Sequence, residues 1–229
     1  MYNSLHNKDA IKEIIVKYTN KVDALYNGEK RPDIHKNVID PFSSIFDGGF
    51  LGLPQEDWIT KEISRQTQKT LQNMIGDFHQ EILGTFDGWR DLGVAGGMDL
   101  INDDLKIFAE IKNKFNTTKG NHKPTIYDDI LNFINNEHLE YTGYLVEIIP
   151  ARPKQYNKLF TPPKDGVRRP DNDAIKVIDG VSFYNLVSGE ENTLRDLFKF
   201  TFDVIKKAKN TNISISDYEF FFNKAYDDK

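Results

Sequence analysis

Apolar residues recur at helical spacing in five stretches of the chain and alternate or run together in three others. Residues 8–27 carry Ile11, Ile14, Ile15, Tyr18, Val22, Leu25 and Tyr26 on one stripe, which predicts an amphipathic helix capped by Asn7 and ended by Gly28. Residues 29–54 hold Pro32, Pro41, Gly48, Gly49, Gly52 and Pro54, so the expectation there is a connection with little regular structure. That length is unusual for a structureless loop, and predicts a segment that wraps the domain or contacts a partner. A long helix follows from Gln55 to about Leu83, with the acidic pair Glu56-Asp57 at its start. Phe86 to Gly97 reads as a glycine-rich loop. Further helices are predicted from Pro124 to about Asn136, from Glu190 to Ala208 and from Ser216 to Tyr226.

Strands are predicted in three places. The stretch from Gly96 to Lys112 reads as a β-hairpin, with Asp103-Asp104 as its turn. In that register Asp99 faces Phe108, and Asp99, Glu110 and Lys112 share one face while Ala109 and Ile111 take the other. Residues 141–149 form a nearly unbroken apolar and aromatic run suited to a sheet centre. One or two short strands are predicted around Asp179-Gly180. Strand, strand, helix, strand within about 55 residues implies a mixed α/β arrangement, the helix-linked strand lying parallel to the Glu110-Ile111-Lys112 strand. The expected fold is therefore a central mixed sheet flanked by helices. One domain over residues 1–229 is expected, with an N-terminal helix and wrapping segment (1–54), a core (55–150) and a C-terminal part (151–229).

Composition changes this picture in two respects. With no cysteine among 229 residues, disulfides, zinc-thiolate sites and cysteine nucleophiles are excluded. No apolar run long enough to span a membrane is visible, and no signal peptide, so a cytoplasmic protein without a membrane partner is expected. The net charge of −5 argues weakly against a nucleic-acid partner, but its distribution argues the other way. Arg152, Lys154, Lys158, Lys164, Arg168 and Arg169 crowd between Pro150 and Pro170 against one acid, Asp165, and Lys106, Lys112, Lys114, Lys119 and Lys123 surround the hairpin. The stretch Asn113 to Lys123 is a polar, basic loop able to follow a phosphate backbone.

Two carboxylates and a lysine on one sheet face suit metal-assisted attack on a phosphodiester. A hard cation such as Mg²⁺ keeps several waters and needs only one or two protein carboxylates, here Asp99 and Glu110, with the Ile111 carbonyl as a further oxygen. The cation lowers the pKa of a bound water and polarises the phosphate, while the Lys112 ammonium orients the nucleophile or stabilises developing charge. Glu81, in the last turn of the long helix, arrives shortly before the hairpin as a further candidate carboxylate; a solvated glutamate at a helix end is the alternative.

Gln80-Glu81, then Gly96-Gly97-Met98-Asp99, then Phe108-Ala109-Glu110-Ile111-Lys112-Asn113-Lys114 with Asn116-Thr117, resembles the PD-(D/E)XK nuclease superfamily. Within it the chain is most similar to type II restriction endonucleases that cut GGNCC or GGWCC palindromes. The resemblance runs from the long helix to the Gly180-Val181-Ser182-Phe183-Tyr184 segment. It implies a restriction-endonuclease-like core with Asp99 and Glu110 as metal ligands, Lys112 as the catalytic lysine and Glu81 as the helix glutamate that often completes such sites. Met98 stands where the family usually has a proline. The resemblance also implies Mg²⁺-dependent cleavage of double-stranded DNA by a homodimer in a bacterial or archaeal cytoplasm. Lys114, Asn116, Lys119, Arg152, Lys154, Arg168, Arg169, Asp171 and Asn172 have the chemistry to touch DNA, the cations suited to guanine or phosphate and Asp171 to cytosine. A repair or recombination nuclease of the same fold, and a DNA-binding module with a dead site, are the alternative readings.

Overall fold

The computed structural model describes residues 2–27, 32–34, 38–93, 97–117 and 122–227. In chain order the helices are α1 (Lys8–Asn27), α2 (Pro41–Ser44) running on into a π-helical turn (Ile45–Gly49), α3 (Gln55–Leu83), α4 (Lys123–Glu137), α5 (Gly180–Ser188), α6 (Thr193–Lys209) and α7 (Ser216–Tyr226). The strands are β1 (Trp89–Asp91), β2 (Leu100–Asn102), β3 (Ile107–Lys114), β4 (Thr142–Ile149), β5 (Asn157–Leu159), β6 (Pro163–Lys164), β7 (Val167–Arg168) and β8 (Ile175–Asp179). The chain falls into two compact units, Met1–Val16 with Gly76–Lys229, and Lys17–Ile75.

The larger unit is built on a six-stranded mixed sheet of order β1-β2-β3-β4-β8-β5, with β6 and β7 as a separate hairpin. β3, β4 and β8 are mutually parallel and the outer pairings antiparallel. Side chains alternate along each strand, so the sheet buries two apolar sets. Leu100, Ala109, Ile111, Tyr144, Val146, Ile148 and Ile178 pack with residues of α1, the end of α3, α5, α6 and α7. Ile101, Phe108, Leu145, Ile175 and Val177 pack under α4. Burial on both faces is why β4 reads as a continuous apolar run. Gly143 lets this layer close: a Cβ there would meet Ile130 Cγ2 and Phe108 Cζ at 2.5 Å.

The structure corrects several expectations. The Gly180 region is not a strand beyond Asp179: Asp179 caps α5, accepting from the Ser182 amide at 3.0 Å, and the helix begins at Gly180. A Cβ on Gly180 would lie 2.3 Å from the Ile148 carbonyl oxygen, so glycine serves the packing of that helix start on β4. The supposed loop from Phe86 contains the edge strand β1, and the basic segment contains β5 and the β6–β7 hairpin, turned by Asp165 and Gly166 at φ 52° and 82°. The hairpin of β2 and β3 turns over four residues, Asp103–Lys106, instead of two. Phe108 therefore pairs with Ile101 and Ala109 with Leu100, so Asp99 does not face Phe108. The slip is by two positions, which keeps every β2 side chain on its expected face.

The Asn7 cap is present, its side chain accepting from the Ala10 amide at 3.3 Å; the expected end at Gly28 lies outside the described residues. In the smaller unit, residues 41–51 are helical where little regular structure was expected. There Gly48 is buried, a Cβ on it lying 3.2 Å from Trp58 Cδ1, and Lys61 pairs with Asp47 at 2.5 Å.

Candidate active site

β2 is three residues long and β3 is eight, so the second half of β3 runs on past the end of its antiparallel neighbour. Asp99 stands at that step. Its amide donates to the Ala109 carbonyl at 3.1 Å and its carbonyl accepts from the Leu92 amide at 2.9 Å, holding the backbone between β1 and β3. Its carboxylate Oδ2 then accepts from the Ile111 amide at 2.6 Å, a bond that a longer β2 backbone would otherwise provide. In an extended strand the N–H and C=O of one residue point to the same edge, so the Ile111 carbonyl is directed to the Asp99 side as well.

Glu110 and Lys112 sit two apart on β3 and share a face. The Lys112 Nζ donates to Glu110 Oε1 at 2.5 Å, and both side chains are mostly covered, at 27% and 19% exposure. Asp99 is pushed up to about 6, first by burial and next by the Glu110 charge, against which the Ile111 amide and Lys112 pull it down. A buried carboxylate raised by a neighbouring carboxylate on the same sheet face is the kind of group that recurs at functional sites.

The next strand adds a second layer. Lys112 is the cross-strand partner of Glu147 on β4. Glu147 is 6% exposed, and its two oxygens are taken by the Lys123 ammonium at 2.6 Å and the Tyr156 hydroxyl. Tyr156 is fixed in turn: its amide donates to Asp179 Oδ2 at 2.6 Å, and the Asp179 amide donates back to its carbonyl at 3.1 Å. The loop Ala151–Gln155, bearing Arg152 and Lys154, therefore leaves the end of β4, the strand beside Lys112, and is anchored at its other end on Asp179 of β8. Glu147, Tyr156 and Asp179 were not picked out from sequence as site residues, and Lys123 was read only as part of a basic cluster. The signal was present, since Glu147 is a lone charge inside the apolar run Tyr144–Ile149, and a buried charge needs partners.

Of the remaining expected residues, Glu81 lies half-buried in the last turn of α3. The following turn touches β1, where a Cβ on Gly84 would lie 3.2 Å from Asp91 Cβ. Lys114 ends β3, and Asn116 is exposed in the turn after it, with Lys114's amide held by the Thr117 hydroxyl at 3.1 Å. Lys119 lies outside the described residues. Arg168 is exposed on β7, whereas Arg169 is committed to an ion pair with Asp128 of α4. Asp171 is exposed; Asn172 shapes a turn, its side chain accepting from the Ala174 amide at 2.9 Å.

Among the described residues no three His, Asp or Glu side chains gather as a metal cluster. The donor set that does exist, Asp99, Glu110 and the Ile111 carbonyl, is all oxygen and carries two negative charges. That fits a hard divalent cation whose other ligands are water and phosphate oxygens, and does not fit zinc.

The likenesses to known proteins agree with this chemistry. The family model described as Eco47II restriction endonuclease matches residues 4–209. The chain is 43% identical over 167 residues to the type II restriction enzyme Eco47II of Escherichia coli, an alignment covering 70% of this chain and 69% of that enzyme. It is 31% identical over 169 residues to the type II restriction enzyme Sau96I of Staphylococcus aureus, covering 71% of this chain and 64% of that one. With the matched region running from before α1, across the Asp99 step and β3, to the last residue of α6, the chain belongs to the Eco47II restriction endonuclease family.

Proposed function

We propose that this restriction endonuclease cuts both strands of DNA at a short GC-rich palindrome of the GGNCC kind, as a homodimer and with Mg²⁺ as its metal, in the cytoplasm of its cell. The observation that carries the reading is the step between β2 and β3, where Asp99, Glu110 and Lys112 meet in a chain of this family. Asp99, Glu110 and the Ile111 carbonyl hold the cation, and Glu81 joins them from the end of α3. When bound, Mg²⁺ acidifies a water and draws charge from the scissile phosphate. The chain's own residues do the rest. The Ile111 amide fixes the Asp99 carboxylate, and Lys112 presents a point charge to the phosphate or the attacking oxygen. Glu147 keeps Lys123 and the Tyr156 loop beside them.

DNA is held by Lys114, Asn116, Lys119, Arg152, Lys154 and Arg168. Arg152 and Lys154 have the exposure and reach to read guanine, and Asp171 the acceptor for cytosine. Arg169 and Asn172 act at one remove, through α4 and the turn before β8. The site belongs to the larger unit and the chain acts as one nuclease.

Digestion of plasmid DNA with and without Mg²⁺, followed by sequencing of the ends, tests the reading. Discrete Mg²⁺-dependent fragments whose ends abut one GGNCC-type palindrome are expected. A smear, or nicking that follows DNA structure, would point to a repair nuclease; no cleavage with any divalent cation would point to a dead binding module.

A further inference from the structure

In the smaller unit, Phe42, Phe46 and Phe50 lie at i, i+4 and i+8 of the helical stretch 41–51 and are 70%, 76% and 90% exposed. Ile45 at 67% and Leu51 at 51% widen the stripe. The opposite side is the one that packs, through buried Gly48 against Trp58. Beside the stripe, Ile39, Leu53 and Trp58 line an open groove of about 510 Å³. Gly49 sits between Phe46 and Phe50 with open space where its Cβ would be, although nothing in the chain's own packing needs a glycine there. An exposed helix that forgoes alanine for glycine at such a position gives up roughly 1 kcal/mol of helix propensity.

We propose that this phenylalanine stripe is the surface through which two copies of the chain associate. Three mostly open phenylalanines with Ile45 and Leu51 amount to roughly 700 Å² of apolar surface, more than monomeric proteins commonly leave in one patch. Buried on both copies it makes roughly 1,400 Å², within the range of a stable protein interface. The charge pattern selects the partner. From Val38 to Leu53 the only charged residues are Asp40 and Asp47, so neither DNA nor an anionic lipid surface is matched, while a second apolar stripe is. A stripe repeating every four residues is also self-complementary about a two-fold axis through Phe46, with Phe42 of one copy over Phe50 of the other and Gly49 leaving room for the facing ring. The assignment deepens the proposed function, since it supplies the second active site that double-strand cleavage requires.

The test uses the full chain. Gly49→Glu leaves the monomer's own contacts untouched and sets two like charges against each other across the axis; Phe46→Glu does the same at the centre, and Phe46→Leu is the conservative control. Sedimentation should give wild type and Phe46→Leu at twice the 26.5 kDa chain mass at micromolar concentration. The two glutamate variants should run as monomers with unchanged circular dichroism, their dimer dissociation constant raised at least 100-fold, and on supercoiled plasmid they should accumulate nicked circles at the wild-type sites. A Gly49→Glu protein that stays dimeric, or a wild type that is monomeric at 50 µM with and without cognate duplex, overturns the proposal. Discrete double-strand fragments from a still-dimeric Gly49→Glu would leave the restriction reading intact and place the interface elsewhere. Dimers that dissociate in Gly49→Glu, with no discrete fragments from wild type, would leave the interface intact and refute the reading of function.

Discussion

Replacing Asp99 by asparagine should stabilise the metal-free protein while destroying its activity. Asp99 titrates near 6 in the folded chain because it is mostly buried and faces Glu110, and near the ordinary carboxylate value of 3.8 when unfolded. Between those values the folded state holds a proton that the unfolded state has lost, so stability falls as pH rises through the window and the cost is complete above it. At full burial the shift corresponds to about 3 kcal/mol, and the side chain's partial exposure brings the expected cost to about 1–2 kcal/mol. Asparagine keeps the shape and an oxygen to accept from the Ile111 amide, which now bonds at 2.6 Å, but carries no charge. Asp99→Asn should therefore raise the denaturation midpoint at pH 7.5 in EDTA by about 2–8 °C for a chain of this size. At pH 4, where wild-type Asp99 is protonated in the folded state, the two proteins should unfold within about 1 °C of each other, on the same linkage argument. The measurement is a thermal or guanidinium melt of both proteins at the two pH values. A variant less stable than wild type at pH 7.5, or a difference that does not change with pH, would refute the reading that burial and the Glu110 charge make the ionised Asp99 costly.

Other changes probe the neighbours. Lys112→Ala should lower the cleavage rate by about 10²–10³-fold or more while DNA binding in EDTA, read by gel shift, changes little. Tyr156→Phe removes a hydroxyl bond to a buried carboxylate and should cost about 1.5–3 kcal/mol in a denaturant melt, since Glu147 keeps only Lys123. An unchanged midpoint would mean that the network does not hold the Ala151–Gln155 loop. Changing Arg152 and Lys154 together to alanine should lower the slope of log binding constant against log salt by about 2 if both meet phosphates, whereas loss of discrimination at one base pair would mark a base reader.

Helices α1, α3, α4, α6 and α7 and strand β4 were legible because their signals are local: a stripe at 3.6 residues, an Asn7 cap, a β-branched run. What was not legible depends on partners far away in sequence. β1 is three residues of polar and aromatic character between glycines, and becomes a strand only because β2 offers it an edge. The β6–β7 turn at Asp165-Gly166 did carry a local signal, the Asp-Gly pair, obscured by the prolines around it. Gly180 looked like a turn residue; its reason is the Ile148 carbonyl on another strand. The hairpin register missed because alternation fixes which face a residue takes and not how many residues the turn uses. The slip was even, so the faces survived, and the Asp99, Glu110 and Lys112 grouping with them. Glu147, Lys123 and Tyr156 meet only through β4, the start of α4 and the chain before β5. No spacing in the sequence announces that meeting.

In the proposed function, the carboxylates at the β2–β3 step hold the metal at which DNA is cut. Anomalous diffraction from crystals of the protein with its cognate duplex and Mn²⁺ in place of Mg²⁺ tests it most directly. An anomalous peak bound by the carboxylates of Asp99 and Glu110 and the Ile111 carbonyl, beside a phosphate and the Lys112 ammonium, is expected. A peak elsewhere, or an empty step in crystals whose dissolved protein cleaves with Mn²⁺, would contradict it.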